Sequence, residues 1–179
     1  FAKHALKLEL YPKQAEVLDS FFSGGYTQAT WALGRRSGKT LMAAVACVYI
    51  CFVLEDKFKK RVRKGEKWYV LTVANSQDQS RIALNNIRQL ILDSPFAQEI
   101  VRETADQLEM SNGCVFKAIP TSGRAARGLA CCACVFDELA FAVDGDANSG
   151  GTGIYDALSP SFLRPGIVEP HRIHHFIAG

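Results

Sequence analysis

Gly34-Arg35-Arg36-Ser37-Gly38-Lys39-Thr40 decides how the rest of the sequence is read. Before it, Thr27 to Leu33 has the length and character of a short buried strand. After it, an apolar helix is expected from about Lys39 to Leu54. A glycine-bearing turn between a strand and a helix is the context in which backbone N–H groups and a helix N-terminus face phosphate. In that setting Lys39 supplies a point charge for β- and γ-phosphates, and the Thr40 hydroxyl can coordinate Mg2+. The spacing departs from the common G-x-x-x-x-G-K-S/T pattern, because Leu33 stands at the first glycine position and Gly34 comes one place late.

A phosphate loop needs a second, acidic element at the carboxyl end of another buried strand, to hold the metal and orient water. Leu129 to Phe136 is a continuous apolar run of strand length, and Asp137-Glu138 closes it. Asp137 is read as the Mg2+ ligand, directly or through water, and Glu138 as the general base for the attacking water. Arginine is the third requirement, because phosphoryl transfer builds charge on the γ-phosphate and a guanidinium reaching it contributes about 10³ to 10⁵ in rate. Arg127, beside Gly128, is the first choice, with Arg35 and Arg36 in the loop as alternatives. Any of the three can instead hold a phosphate or an acidic neighbour.

Around these motifs the chain alternates strand-like and helix-like patterns without repeats, which predicts an α/β domain with a mostly parallel central sheet flanked by helices. Pro12 to Phe22 reads as a helix stopped by Gly24-Gly25, and Trp68 to Ala74 as a buried strand. Asn75-Ser76 offers a cap for a helix to about Leu92. Gln107 to Met110 and Cys114 to Ile119 flank an Asn-Gly turn and predict a hairpin. A glycine-rich loop around Asp144 to Gly153, a short helix from Ile154 and a last strand at 174–178 follow. With 48% apolar and 22% charged residues in 179, the expectation is one globular domain. No apolar run approaches the roughly 18 residues of a membrane span. The chain begins without Met and ends within an apolar stretch, as expected of part of a longer protein.

The six cysteines lie mostly in apolar segments and read as buried thiols. Cys131 and Cys134 form a C-x-x-C, with His171 and His174 as conceivable zinc partners, but strand alternation is expected to spread the two sulfurs across both faces. The net charge of +3 hides a concentrated segment, Glu55 to Lys67, with seven basic and three acidic groups. It reads either as a solvated surface or as a contact for a phosphate backbone.

Together these residues resemble the ATPase domain of large terminase subunits, the DNA-packaging motors of tailed phages and related viruses. The resemblance rests on the double-arginine loop at 34–40, on Arg127-Gly128-Leu129 before the apolar strand, and on Phe136-Asp137-Glu138-Leu139-Ala140-Phe141. Tyr11-Pro12-Lys13-Gln14 looks like the family's adenine-contacting motif, and Val70 to Gln77 is similar to the strand and glutamine-bearing turn after the first helix. The resemblance implies a P-loop NTPase fold of the RecA-like, additional-strand type, and an ATP- and Mg2+-dependent ATPase in which Gln14 reads the base edge. Gly34, Arg35, Arg36, Ser37, Gly38, Lys39 and Thr40 would cradle the phosphates, with Arg35 sensing the γ-phosphate.

It further implies a homo-oligomeric ring, usually of five subunits, on the portal protein of a procapsid in the host cytoplasm, with the free subunit monomeric in solution. The ring would pump double-stranded DNA in concert with a small terminase subunit, and Arg127 would act on the neighbour's nucleotide. A C-terminal nuclease domain, usual in the family, has no counterpart in these residues. The family's coupling motif should fall near Ile177-Ala178-Gly179, which lacks a hydroxyl. The rival readings are a superfamily 2 helicase or translocase core and a nucleotide-dependent DNA clamp with little turnover.

Overall fold

The computed structural model describes residues 1–26, 28–31, 33–34, 36–121, 128–137 and 174–178, with 137 and 174–178 described by backbone alone. A short α1 (Ala2–Ala5) leads to α2 (Pro12–Ser23), where Pro12 occupies the first helical turn and its missing N–H costs nothing. Gly24 and Gly25, the latter at φ 73°, end α2. There follow β1 (Gln28–Trp31), α3 (Lys39–Phe52), α4 (Glu55–Lys59), β2 (Trp68–Ala74) and α5 (Gln77–Leu92). Ser76 caps α5 by accepting a hydrogen bond from the Gln79 N–H at 3.2 Å. A 3-10 turn at Pro95–Glu99 precedes β3 (Ile100–Glu103), β4 (Gln107–Met110) and β5 (Cys114–Pro120), and then come β6 (Cys131–Asp137) and β7 (His174–Ala178).

The described strands form one sheet in the order β1-β7-β6-β2-β5-β4-β3. β1, β7, β6, β2 and β5 are mutually parallel, while β4 and β3 extend the sheet antiparallel. The mostly parallel sheet matches the sequence reading, and β3 is an addition to it. The β4–β5 hairpin turns at Gly113, φ 87°, as its Asn-Gly pair predicts. One strand, β7, separates the strand leading into the phosphate loop from the strand ending in Asp137, which is the additional-strand arrangement expected above.

Helix α3 is buried at every position from Met42 to Val48 and again at Ile50 and Cys51. A helix apolar on all sides must have protein on all sides. It lies with α5 on one face of the sheet, against Val70, Phe116 and Val135, while Leu71, Val73, Ile119 and Phe136 form a second cluster on the other face. No helix among the described residues is long and apolar enough to cross a membrane.

Two expectations need correction. β1 is not a buried strand: Gln28 and Thr30 are exposed and only Trp31 is fully buried, because β1 pairs with β7 alone and forms an edge of the described sheet. Cys131 and Cys134 are not spread across two faces. A register shift between Tyr69 and Val70 skips Cys132, so the two sulfurs fall in the same cluster while Cys132 joins the other. No group of three metal-ligating side chains exists among the described residues, and His171 and the His174 side chain lie outside them.

All six cysteines are free and buried, and burial pushes the thiols of Cys47, Cys114, Cys131, Cys132 and Cys134 well above the ordinary range. A chromogenic thiol reagent at neutral pH should therefore leave the native chain unlabelled and titrate six thiols only after denaturation. Labelling of the native chain at the rate of a free thiol would contradict this packing.

The sheet extension is tied to α5 through Asp106, which accepts from Arg81 Nε at 2.6 Å and Gln77 Nε2 at 2.9 Å. The Arg81 hydrogen bond holds the Asp106 carboxyl below its usual range. A carboxylate depressed on folding stabilises above its unfolded pKa and loses that contribution as pH falls through the folded one. Asp106→Asn should thus flatten the acid limb of a stability-against-pH curve below the ordinary carboxylate range, by a small amount because both partners are partly exposed. An acid limb unchanged by the substitution would remove Asp106 from that role.

Candidate functional site

Parallel register brings the loop and the acidic strand to one edge. Trp31, last in β1, is level with Ala178 of β7, and Ala178 is level with Asp137 of β6. The carboxyl ends of β1 and β6 thus lie two strand spacings, about 10 Å, apart. An open parallel sheet binds ligands in a crevice at this end.

The loop itself has a left-handed rhythm, with Arg36 at φ 60° and Gly38 at φ 81°. Alternation of this kind turns successive N–H groups toward a common point and forms an anion-binding concavity. Arg36 adopts this conformation without being glycine, so the loop holds local strain of the kind found at ligand clamps. The Ser37 N–H reaches the Gly34 carbonyl at 3.3 Å, and the space in front of Gly34 is open. Gly38 is the N-cap of α3 and contributes no side chain, so the helix begins with no side-chain cap. The positive end of a 14-residue helix dipole is therefore left for an anion.

Gln14 fixes the loop from outside. Its Oε1 accepts from the Tyr11 N–H at 3.0 Å and its Nε2 donates to the Ser37 carbonyl at 2.8 Å. One carboxamide thereby joins the start of α2 to the residue before the helix cap. Tyr11 stands 76% exposed next to it, a ring available to a flat ligand. Gln77 lies elsewhere: its amide is spent on Asp106 and on the Ala118 carbonyl at 3.0 Å, a brace for β5 and not a ligand contact.

Of the residues singled out in the sequence, the fold gathers Gln14, Gly34, Arg36, Ser37, Gly38, Lys39 and Thr40 around the start of α3 and puts the Asp137 backbone on the same edge. Arg35, Arg127 and Glu138 lie outside the described residues. Asn75 was missed as anything beyond a helix cap. Ser76 does the capping, and Asn75 Oδ1 is buried without a hydrogen-bond partner just past the carboxyl end of β2, the strand beside β6. A polar residue directly after a central strand was the available signal.

The donor set suits a nucleotide phosphate with Mg2+. Ser37 Oγ is buried with no partner inside the loop, and the uncapped helix start and the left-handed pair form a cradle for an anion. Thr40 on the first turn of α3 and Asp137 at the end of β6 are of the oxygen-bearing residue types that would suit Mg2+.

This is a P-loop NTPase arrangement, and solved structures of phage large terminases resemble it. The large terminase of bacteriophage HK97 matches with TM-score 0.68 at 18% identity, over 96% of this chain and 33% of that one. The large terminase ATPase domain of Thermus phage P74-26 matches with TM-score 0.62 at 16% identity, over 97% of this chain and 66% of that one. The large terminase of a thermophilic bacteriophage matches with TM-score 0.60 at 12% identity, over 96% and 39%. The chain has the fold of large terminase ATPase domains and spans a third of the HK97 protein. Neither a protein-family model nor a curated protein sequence matches it.

A Cβ on Gly38 would stand 2.6 Å from Gln14 Nε2, on a backbone that L residues rarely adopt. Gly38→Ala should cost roughly 1–2 kcal/mol for the left-handed backbone alone and more for displacing the glutamine. Gln14→Ala should cost about 0.5–1.5 kcal/mol for the lost hydrogen bond. Thermal or denaturant melts of both single variants and the double should show the double less destabilised than the sum, because removing Gln14 relieves the clash. Strict additivity would mean that Gln14 does not touch the loop.

Proposed function

We propose that this domain hydrolyses ATP with Mg2+ as the motor of a viral DNA-packaging machine, a large terminase ATPase. The observation that carries the reading is the uncapped, left-handed start of α3 on the same sheet edge as the end of the acidic strand, with one strand between them.

In this reading the loop N–H groups and Lys39 hold the β- and γ-phosphates, and Thr40 and Asp137 hold the metal. Mg2+, when held there, would neutralise phosphate charge. Glu138 accepts a proton from water as the water oxygen bonds to the γ-phosphorus and the bond from that phosphorus to the β-bridging oxygen breaks. Arg127, or a loop arginine, meets the charge that develops on the γ-phosphoryl oxygens. Gln14 and Tyr11 hold the base. The remaining parts of the proposal, a ring on a portal, a small terminase subunit and double-stranded DNA as the cargo, come from the sequence resemblance to large terminases, whose fold the neighbours share.

The test uses three variants. Lys39→Ala should lose nucleotide affinity, whereas Glu138→Gln should bind ATP and fail to cleave it. An equimolar mixture of Glu138→Gln and Arg127→Ala, each inactive alone, should regain hydrolysis if the arginine acts across a subunit interface, and activity per subunit should rise with protein concentration. Nucleotide binding without turnover at any concentration would favour the clamp. Equal affinity in wild type and Lys39→Ala would remove Lys39 from the site.

A further inference from the structure

The segment that joins α4 to β2 lies at the amino ends of the parallel strands, opposite the phosphate loop. Trp68 and Cys114 begin β2 and β5 in register there, whereas Asp137 and Ala74 end β6 and β2 at the far edge. The two ends are about 20 Å apart.

The structure separates the charges of this segment into spent and unspent. Lys59 pairs with Glu55 at 2.8 Å, and Lys67 pairs with Glu109 at 2.7 Å. Glu66 turns back onto the Arg63 backbone N–H at 3.0 Å. Among the described residues Lys57, Lys60, Arg61, Arg63 and Lys64 have no ion-pair partner, and Asp56 is the remaining carboxylate of the segment. Five unpaired cations within eight residues repel one another, an arrangement that favours a polyanion.

The segment is held firmly. The Arg61 guanidinium lies 5.7 Å from the centre of the Phe58 ring, and that ring stacks on buried Trp68 at 5.8 Å. Asn112 donates to the Cys51 carbonyl and to Glu55 Oε2, each at 2.9 Å, locking α4 to the end of α3 and to the hairpin. Beside this platform runs a groove of about 610 Å³ whose lining includes Arg63, Lys64, Lys67 and Trp68, together with Glu66 and Glu109, the carboxylates already engaged by the Arg63 N–H and by Lys67. The cations are therefore presented on a fixed base, with less ordering entropy left to lose on binding than a free tail would have.

We propose that this face docks the phosphate backbone of double-stranded nucleic acid. The charge density is the argument for that occupant over an acidic peptide. A duplex carries one negative charge per about 1.7 Å of axis, a density that an extended peptide with one carboxylate per residue, at about 3.3 Å, does not reach. Backbone contacts carry no sequence information, as suits a surface that must ride on any sequence. The inference rests on the DNA-translocating reading above and names the surface that would serve it.

The test measures binding of a labelled duplex of roughly 30 base pairs and mixed sequence to the 179-residue chain, without nucleotide, across a salt series. Lys57→Gln, Lys60→Gln, Arg63→Gln and Lys64→Gln combined should lower affinity about tenfold or more at low salt and flatten the log–log salt slope by up to about 0.9 per lost contact. Lys3→Gln with Lys7→Gln, exposed cations outside the segment, should leave the slope unchanged. Melting curves of both variants should match wild type, and if the fourfold variant melts early, Lys60→Gln with Lys64→Gln is measured instead. An unchanged slope overturns the proposal, and so does polyglutamate that displaces the duplex equally well at equal charge. Hydrolysis and duplex binding are read separately: a wild-type chain that binds duplex with the expected salt slope but hydrolyses no ATP sinks the ATPase reading alone, and a chain that hydrolyses ATP while the fourfold variant leaves the slope unmoved sinks this surface alone.

Discussion

Helix α3 cannot face water on any side, and most of the molecule's geometry follows from that. Its residues from Met42 to Cys51 are almost all buried, so the sheet, α5 and α2 must close around it. Burial fixes the axis, and the axis fixes where the amino end emerges. At that end every N–H of the first turn needs a partner. The chain provides no side-chain cap and instead turns left-handed twice, at Arg36 and at Gly38. An apolar helix with a serine or aspartate cap would be a more stable fold and would have no vacancy for phosphate. The weak point is localised at the loop before α3, and the Gln14 amide keeps that loop in shape from α2.

Sheet order supplies the second half of the site. Because β7 inserts between β1 and β6, anything spanning from Thr40 to Asp137 passes over the end of β7. The residue there, Ala178, brings no hydroxyl. Among the described residues, an unpartnered buried polar atom stands on the other side of β6, in Asn75, besides Ser37 Oγ in the loop itself.

Much of this was legible in the residues. Gly-Lys-Thr between a strand and an apolar helix, and an apolar run ending in Asp137, located the helix start and the strand end that meet at one sheet edge, because the patterns reflect local needs: a helix start, a strand end, a charge after burial. The helices from Pro12, Lys39 and Gln77 were readable for the same reason. What escaped was set by pairing. Thr27 to Leu33 looked buried, but a strand's burial depends on its neighbours, and Gln28 and Thr30 face outward at an edge. The side of the sheet taken by Cys131 and Cys134 followed from a one-residue register shift that no composition announces. Ile100 to Glu103 showed no alternation strong enough to mark a strand, and it joins the sheet through Met110 and Leu108 of β4. The Gln14 to Ser37 hydrogen bond spans 23 positions and is a tertiary fact.

The two charged regions of the domain stand at opposite ends of one rigid element. A 14-residue helix is about 21 Å long, close to the length of the strands beneath it, so α3 reaches from the phosphate loop to the base of the basic segment. Its carboxyl end is held by Asn112, which bonds at once to the Cys51 carbonyl and to Glu55 at the start of α4. Close-packed interiors transmit displacement and do not absorb it. If filling the loop shifts the amino end of α3, the helix has little freedom to bend within its apolar sheath, and the shift arrives at Asn112. The residues that receive it, Glu55 and through Glu55 Lys59, lead directly into the unpaired cations. Under the proposed function, a domain that alternates between gripping and releasing a polyanion would need a stiff connection between nucleotide and grip, and the burial of α3 supplies that stiffness.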